Sequence, residues 1–275
     1  MIYDCIICLP VYNCEKYLDN IFTNILKIRT LFNKFVVIFG YDHCKDNSLK
    51  MLRLFKKQNE DIDINIIINN NKRHKYRTHN LAIIRNLMID FIFNNYHEYD
   101  FFIMMDSDDV CSSPINLDIL KKHVQNNNLW DSVSFNKNNY YDIWALQYEP
   151  FVHHCRSYAY NSWAVINFIK NDITNKLTNL KEDEYFQVYS AFNGFGIYRT
   201  IKFINCKYNG IKQKYFDDIK ILKMMEYLNE SNIPNKRKKI KLFKIKENCE
   251  HIGFHINSIL INSAKIMITK DILFG

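Results

Sequence analysis

Three carboxylates lie within four positions of one another, at Asp106, Asp108 and Asp109, and they directly follow the apolar run 101–105. Carboxylates this close repel one another, and the repulsion costs most at the buried end of a strand. A divalent cation such as Mg²⁺ or Mn²⁺ removes that repulsion, keeps part of its water shell and bridges to the phosphates of a substrate. The pattern therefore favours a metal site at Asp106 and Asp108 over an acidic cluster at a solvated turn.

Glycine is scarce in this chain. Average usage of about 7% would give roughly nineteen glycines at this length, but the sequence has only six. They are Gly40, Gly194, Gly196, Gly210, Gly253 and Gly275. No glycine-rich phosphate loop, dinucleotide fingerprint or nucleophile elbow can be written from these positions. A phosphate group bound by this protein would need a cation in place of glycine amides, which again points to the acidic cluster.

The bulk composition is that of a globular chain with a sizeable core. Of the 275 residues, 48% are apolar and 24% are charged, which suits one large domain or two small ones. The net charge of +8 favours anionic partners, although a solvated basic surface accounts for it equally well. Scattered cysteines indicate free thiols in a reducing compartment, and no signal peptide or apolar run of about eighteen residues is evident. We therefore expect a soluble, cytoplasmic protein without a transmembrane segment.

The first 110 residues alternate between strand-like and helix-like patterns. Apolar runs predict buried strands at 4–9, 35–39 and 101–105, and the isoleucine-rich stretch 62–68 predicts a further strand. Helical spacing of apolar residues predicts helices that begin at Asn13, at Asp46 or Ser48, and near Leu81. Repeated strand–helix units predict an α/β fold, in which helices cover both faces of an open, mostly parallel sheet.

The pattern after residue 110 is mixed. Ser113-Pro114 is typical of a helix start, and 215–229 has helical spacing. Strand-like fragments occur at 133–135 and 197–198, and the lysine-rich stretch 234–246 partly alternates as a strand does. Because no repeat or linker divides the chain, we expect a single domain over residues 1–275.

Polar residues follow three of the predicted strands, at 10–13, 41–43 and 106–109. Ligands of open parallel sheets bind beyond the carboxyl ends of the strands. We therefore expect these three groups to meet at one edge of the sheet.

Several segments resemble nucleotide-sugar-dependent glycosyltransferases of the GT-A fold. The stretch 6–18, Ile-Ile-Cys-Leu-Pro-Val-Tyr-Asn-Cys-Glu-Lys-Tyr-Leu, is similar to their opening strand and turn, and 42–48 is similar to their second turn. Asp106-Ser107-Asp108 matches their DxD metal motif. Further segments resemble the fungal capsule-associated mannosyltransferase-like branch, at 77–86, 141–146, 192–198 and 249–252. The order and spacing of these motifs, from residue 4 to residue 255, carry the resemblance.

The resemblance implies a Rossmann-like GT-A domain with a nucleotide-binding half, 1–110, and a half for the donor sugar and the acceptor, 111–275. It implies that Pro10, Tyr12 and Asp42 frame the base and ribose. It also implies that Arg77 and Arg85 face the diphosphate or order the DxD loop.

Further roles concern the metal and the sugar. The resemblance implies that Asp106 and Asp108 bind the ribose and a Mn²⁺ or Mg²⁺ ion, with His251 or His255 as an added ligand. It implies that Asn193 and Gly194 approach the donor sugar. Two segments, Tyr41-Asp42-His43 and Phe192-Asn193-Gly194, depart from the usual family residues. The sequence therefore does not identify the nucleotide base or the sugar of the donor.

The function that follows is metal-dependent transfer of a hexose from a UDP- or GDP-sugar to a glycan or protein-linked acceptor. An inverting enzyme of this kind needs a carboxylate base near the acceptor hydroxyl. Glu250 is the first candidate for that base, and Asp217 or Asp218 is the second. The sequence leaves open whether the enzyme inverts or retains.

Other functions are compatible with parts of the sequence. A phosphatase of the haloacid-dehalogenase type would use Asp106 as nucleophile and Asp108 as acid and base, but its motif normally follows the first strand. A non-catalytic module could bind a nucleotide sugar or a nucleic acid. Nucleic-acid binding leaves the acidic strand end unexplained, so we expect no nucleic-acid partner.

Overall fold

Strands and helices alternate through the first half of the chain, as the sequence predicts. The computed structural model describes residues 2–153, 162–211, 213–236, 238–242 and 246–275. The strands in these ranges are β1 (Cys5–Val11), β2 (Phe35–Tyr41), β3 (Asp63–Ile68), β4 (Phe101–Met105), β5 (Ser132–Asn136), β6 (Phe186–Val188), β7 (Phe195–Arg199) and β8 (Ile266–Ile272). The helices are α1 (Glu15–Arg29), α2 (Ser48–Gln58), α3 (Arg77–Asn95), α4 (Leu117–Gln125), α5 (Ser162–Thr178), α6 (Asp218–Glu230) and α7 (Glu250–Asn262).

All these strands belong to one sheet, in the order β3-β2-β1-β4-β7-β5-β8-β6. The first four strands pair in parallel, as do β5 and β8. Strand β7 runs antiparallel between β4 and β5, and β6 runs antiparallel to β8. The predicted α/β fold class, an open and mostly parallel sheet with helices on both faces, is therefore confirmed.

Apolar cores lie on both faces of the sheet. In β1, Cys5, Ile7 and Leu9 pack into the core formed with α1, α2 and α4. The alternate residues Ile6 and Cys8 pack into the core formed with α3, α5 and α7. Burial on both faces explains why the central strands are continuous apolar runs instead of alternating ones. No helix in the described ranges has both the length and the apolar character needed to cross a membrane.

The second half departs from the sequence prediction. The fragments at 133–135 and 197–198 become β5 and β7, which lie inside the sheet. Residues 237 and 243–245 lie outside the described residues, and the rest of the stretch 234–246 belongs to no named strand, which leaves the loop as the interpretation that fits it. Its many lysines favour solvent over a place in a sheet.

Two predicted helix starts are displaced. Helix α1 begins at Glu15, and Asn13 has a positive φ of 54° and accepts a hydrogen bond from the Lys45 backbone N–H at 2.7 Å. Helix α4 begins at Leu117 instead of Ser113-Pro114, because the side chain of Asn116 accepts from the first free backbone N–H groups. The Asn13 contact joins the turn after β1 to the turn after β2, at the edge where the functional residues lie.

Asn24 of α1 holds the segment that follows the acidic cluster. The side chain is buried, and its Nδ2 donates to the carbonyl oxygens of Cys111 and Ser113 at 3.0 and 2.8 Å. Its Oδ1 accepts from the Ile115 N–H at 3.1 Å. One side chain therefore forms hydrogen bonds with three backbone groups that have no partner in a helix or a named strand.

We expect Asn24→Ala to lower the free energy of unfolding by about 2–4 kcal/mol, because it leaves buried backbone groups without partners. Urea denaturation measures the loss. The matched control is Asn20→Ala on the exposed face of the same helix, where we expect a change within about 0.5 kcal/mol. Equal small effects of the two variants would contradict this role for Asn24.

Candidate functional site

A cavity of about 350 Å³ lies at the carboxyl ends of β1, β2 and β4. Its lining includes six residues that the sequence predicts to bind ligand: Pro10, Tyr12, Asp42, Arg77, Asp106 and Asp108. The parallel register of the first four strands places their carboxyl ends at the same edge of the sheet. The expected meeting of these polar groups is therefore observed.

One end of this cavity combines an aromatic face with a buried carboxylate. Asp42 accepts from Asn69 Nδ2 at Oδ1 and from Arg73 Nη1 at Oδ2, both at 2.9 Å. The Arg73 guanidinium lies over the Tyr12 ring, 3.9 Å from its centroid. The sequence patterns did not indicate Asn69 or Arg73 as site residues. Asn69 directly follows β3, so its place at a strand end could have indicated it, whereas Arg73 has no such signal.

A second cavity, of about 680 Å³, adjoins the first. Arg77, Leu81 and Asp106 line both cavities. The wall of the larger cavity also includes Glu250 and His251 from the start of α7. Asp106 therefore lies where the two cavities meet.

Arg85 forms ion pairs with two of these acidic residues, Asp106 and Glu250. Its side chain is 2% exposed; Nη2 donates to Asp106 Oδ1 at 2.9 Å, and Nε donates to Glu250 Oε1 at 3.1 Å. Burial alone would lower the pKa of Arg85, but the carboxylates of Asp106 and Glu250 raise it. The guanidinium stays charged and also lies over the Phe192 ring, 4.9 Å from its centroid. Of the two roles implied for Arg85, this geometry supports ordering of the DxD segment.

A negative charge is costly at Asp108, which lines the smaller cavity beside Asp106. Burial, and then the charges of Asp106 and Asp109, raise its pKa to about 6. Its Oδ1 accepts from the Val110 N–H at 3.2 Å, which leaves the other oxygen available. A cation beside Asp106 and Asp108 would relieve this crowding, so the carboxylate oxygens suit Mg²⁺ or Mn²⁺.

The two candidate histidines differ in their surroundings. His251 stacks on Phe192, with ring centroids 3.8 Å apart, and neither ring nitrogen has a hydrogen-bond partner among the described residues. Burial lowers the pKa of His251 well below its usual value, so the ring is neutral and keeps a free lone pair. Both nitrogens of His255 lie within hydrogen-bond distance of hydroxyls, Ser190 Oγ at 3.0 Å and Tyr198 Oη at 3.3 Å. His251 lines the larger cavity, whereas His255 is a core residue whose ring nitrogens both have hydrogen-bond partners.

The protein alone does not offer a complete metal shell. Within the described ranges, no group of three or more His, Cys, Asp or Glu side chains is placed to hold an ion. The carboxylates of Asp106 and Asp108 could hold a hard cation that takes its remaining ligands from water and substrate phosphates, as Mg²⁺ often does. The site is thus suited to an ion that binds together with its substrate.

Asn193 and Gly194 lie behind the acidic residues and do not line either cavity. The Gly194 carbonyl accepts from the Asp106 N–H at 2.9 Å. Gly194 has φ of +89°, and a Cβ there would lie 2.3 Å from Val110 Cγ1, so only glycine fits. Asn193 Oδ1 accepts from the Asp142 N–H at 3.3 Å. This pair contacts Asp106 and Asp142, which line the cavities, and the approach to a donor sugar that the resemblance implies stays a prediction.

Asp217, a candidate base from the sequence, lies outside both cavities, whereas Asp142 lies in the wall of the larger one. Asp217 is exposed and caps α6 by accepting from the Lys220 N–H at 2.8 Å, and it lines neither cavity. Asp142, to which the sequence assigned no role, lines the larger cavity. Burial, followed by the charge of Asp106, raises its pKa to about 6. Its position in the motif 141–146 was visible in the sequence, but its burial beside Asp106 was not.

We expect Asp108→Asn to stabilise the metal-free protein above pH 6. Because the folded state raises this pKa from 3.8 to about 6, the ionised carboxylate destabilises the fold progressively as pH rises between these values. The total loss in free energy of unfolding is at most about 3 kcal/mol. Melting temperatures of the wild type and of Asp108→Asn, measured in EDTA from pH 3.5 to 7.5, should therefore be similar at the acid end. Their difference should grow as pH rises and reach a plateau above pH 6. A difference that does not change with pH would contradict this assignment.

No protein-family model matches the sequence, and no curated protein sequence matches it either. Structures of S. aureus TarS 1–349 align with 98% of this chain at 15% identity, with TM-scores of 0.49 for the UDP complex and 0.47 for the UDP-GlcNAc complex. This chain spans 59% of the TarS chain in the UDP complex and 57% of it in the UDP-GlcNAc complex. The mannosyltransferase PcManGT from Pyrobaculum calidifontis, in complex with GDP-Man and Mn²⁺, aligns with 56% of this chain and 43% of its own at 17% identity, with a TM-score of 0.37. Such values describe a partial likeness in shape and assign no activity to this chain.

Proposed function

We propose that this protein is a metal-dependent glycosyltransferase that moves a hexose from a nucleotide-diphosphate sugar to a glycan or protein-linked acceptor. One observation carries the proposal: two cavities of different character meet at Asp106. The smaller has the chemistry to bind a nucleoside, and the larger has room for sugars. A nucleotide sugar has the same order of parts, with its diphosphate in the middle.

The smaller cavity has the features of a nucleoside site. Tyr12 offers an aromatic face of the kind on which a base can stack. Beside it, Asp42 is an acceptor for a base N–H, and its two neighbours Asn69 and Arg73 are donors. The volume of about 350 Å³ falls at the lower end of the range for small-molecule sites.

The junction of the cavities is suited to a diphosphate. Asp106 and Asp108 would hold Mn²⁺ or Mg²⁺, and the ion, once bound, would stabilise the negative charge that develops on the leaving diphosphate. Arg77, which is exposed and lines both cavities, is available to the phosphates directly. Arg85 fixes Asp106 and, although its side chain is only 2% exposed, also forms part of the wall of the larger cavity.

The alternative functions fit this geometry less well. A phosphatase nucleophile needs an open carboxylate, whereas Asp106 Oδ1 is bound by the buried Arg85 at 2.9 Å. Nucleic-acid binding requires a basic surface, whereas the cavities contain Asp42, Asp106, Asp108 and Glu250. A module that binds a nucleotide sugar without turnover has the same cavities, and only an assay of sugar transfer or hydrolysis separates it from an enzyme.

We expect Mn²⁺ and UDP or GDP together to raise the melting temperature more than the sum of their separate effects, because the ion and the diphosphate share one site. Asp108→Ala should abolish this joint shift. The matched control is Asp109→Ala, an exposed neighbour that lines neither cavity, and it should keep the shift. The proposal fails if no nucleotide diphosphate stabilises the wild type with metal, or if both variants respond alike.

The donors and acceptors around Asp42 favour uracil over guanine. Uracil presents an N–H between two carbonyl oxygens, which complements the Asp42 carboxylate with Arg73 of the cavity wall on one side and the buried Asn69 on the other. Guanine presents one oxygen and two N–H donors in a row, so one donor of the protein would face another. We therefore propose a UDP-sugar as the donor substrate.

We expect UDP to bind at least about tenfold more tightly than GDP in the presence of Mn²⁺, since one mismatched buried hydrogen bond costs about 1–3 kcal/mol. Arg73→Met should remove most of this preference, and Lys72→Met, an exposed neighbour, should leave it intact. Isothermal titration calorimetry measures the affinities of UDP and GDP for the wild type and both variants. Equal binding of UDP and GDP to the wild type would contradict uracil recognition without contradicting the metal site.

A further inference from the structure

We propose that Asp142 is the general base that takes the proton from the acceptor hydroxyl. This inference rests on the proposed function and adds a catalytic residue to it. Asp142 lies in the loop between β5 and α5 and lines the larger cavity together with Asp106, Glu250 and His251. It is therefore on the side of Asp106 where the sugars, and not the nucleoside, would bind.

Backbone groups hold the Asp142 carboxylate in place. Oδ1 accepts from the Ala145 N–H at 3.2 Å, and Oδ2 accepts from the Asn193 N–H at 3.4 Å. Asn193 Oδ1 in turn accepts from the Asp142 N–H at 3.3 Å. A carboxylate oxygen has two lone pairs, so each oxygen keeps one for a ligand in the cavity. The carboxylate is oriented before any substrate arrives.

The Asp142 carboxylate lacks the cation that its neighbour Glu250 has in Arg85. In the described part of the chain Asp142 forms no ion pair, and it lines the larger cavity. Because a carboxylate held in an ion pair is a weaker base, Asp142 is the better placed of the two to accept a proton.

Glu250 and Asp217 are less suited to this role. Glu250 Oε1 is bound by Arg85 Nε at 3.1 Å, and its side chain is 4% exposed. A proton on Glu250 would weaken the charge balance of a buried arginine, which is costly. Asp217 is an exposed helix cap outside both cavities. Glu250 is therefore a positioning residue, and Asp142 is the carboxylate left to accept the proton.

The step that this arrangement performs is a single displacement. The acceptor oxygen attacks the anomeric carbon and forms the new C–O bond, while the bond from that carbon to the diphosphate oxygen breaks. The bonding electron pair leaves with the diphosphate. The hydroxyl proton passes to the Asp142 carboxylate, which becomes a neutral acid. Attack opposite the leaving group inverts the configuration at the anomeric carbon.

Release of UDP from UDP-glucose, UDP-galactose and UDP-N-acetylglucosamine tests this role, with water as the acceptor and Mn²⁺ present. Asp142→Asn should lower kcat roughly 100-fold or more, with KM for the UDP-sugar within about twofold of the wild type. Asp142→Glu should recover part of the rate, because the carboxylate is restored. Asp109→Asn serves as a carboxylate control outside the cavities and should match the wild type.

Three results would overturn the assignment. They are an Asp142→Asn rate within fivefold of the wild type, a loss explained entirely by a raised KM, and a product that keeps the donor's anomeric configuration when followed by NMR. UDP affinity by calorimetry shows that each variant is folded, and Asp142→Ser replaces Asp142→Asn if the latter does not bind UDP. If the wild type binds UDP but releases none from any UDP-sugar, the proposed function fails and the base role fails with it.

Discussion

A buried arginine between two carboxylates is the constraint on which the site depends. Arg85 of α3 holds Asp106 at the end of β4 and Glu250 at the start of α7, and it is 2% exposed. Removal of one partner from a buried ion pair typically costs about 3–5 kcal/mol, because the other charge stays buried and unpaired. The three elements are therefore fixed to one another at the junction of the cavities, although they are far apart in the chain.

This network divides the acidic residues into two kinds. Asp106 and Glu250 have a permanent cation in Arg85. Asp108 and Asp142 form no ion pair with any described residue, and burial with neighbouring negative charge raises the pKa of each to about 6. A transferase of the proposed kind needs one place for a cation beside the diphosphate and one for a proton beside the acceptor. Asp108 and Asp142 lie on either side of Asp106 and would supply these two places.

The fold was predictable where contacts are local along the chain. Three of the first four strands are apolar runs and the other, β3, is rich in isoleucine; because a helix follows each of the first three, the local patterns alone indicate the parallel sheet. The strands β5 and β7 appeared only as fragments, because their partners are β8 and β4, from distant parts of the chain. Strand order in the second half depends on long-range pairing that no local pattern encodes.

The candidate site, like the fold, was predictable from the sequence only where local patterns are sufficient. Residue types and their position after apolar strands were enough to indicate Pro10, Tyr12, Asp42, Asp106 and Asp108, which do line one cavity. Only the tertiary structure separated His251, which faces the larger cavity, from His255, whose ring nitrogens are satisfied in the core. Burial, charge and pairing determine what a carboxylate or an imidazole can do, and these properties come from neighbours that lie far away in the sequence. The sequence by itself therefore determined the strand-end chemistry, and the tertiary structure decided which of its acids and histidines are available to a ligand.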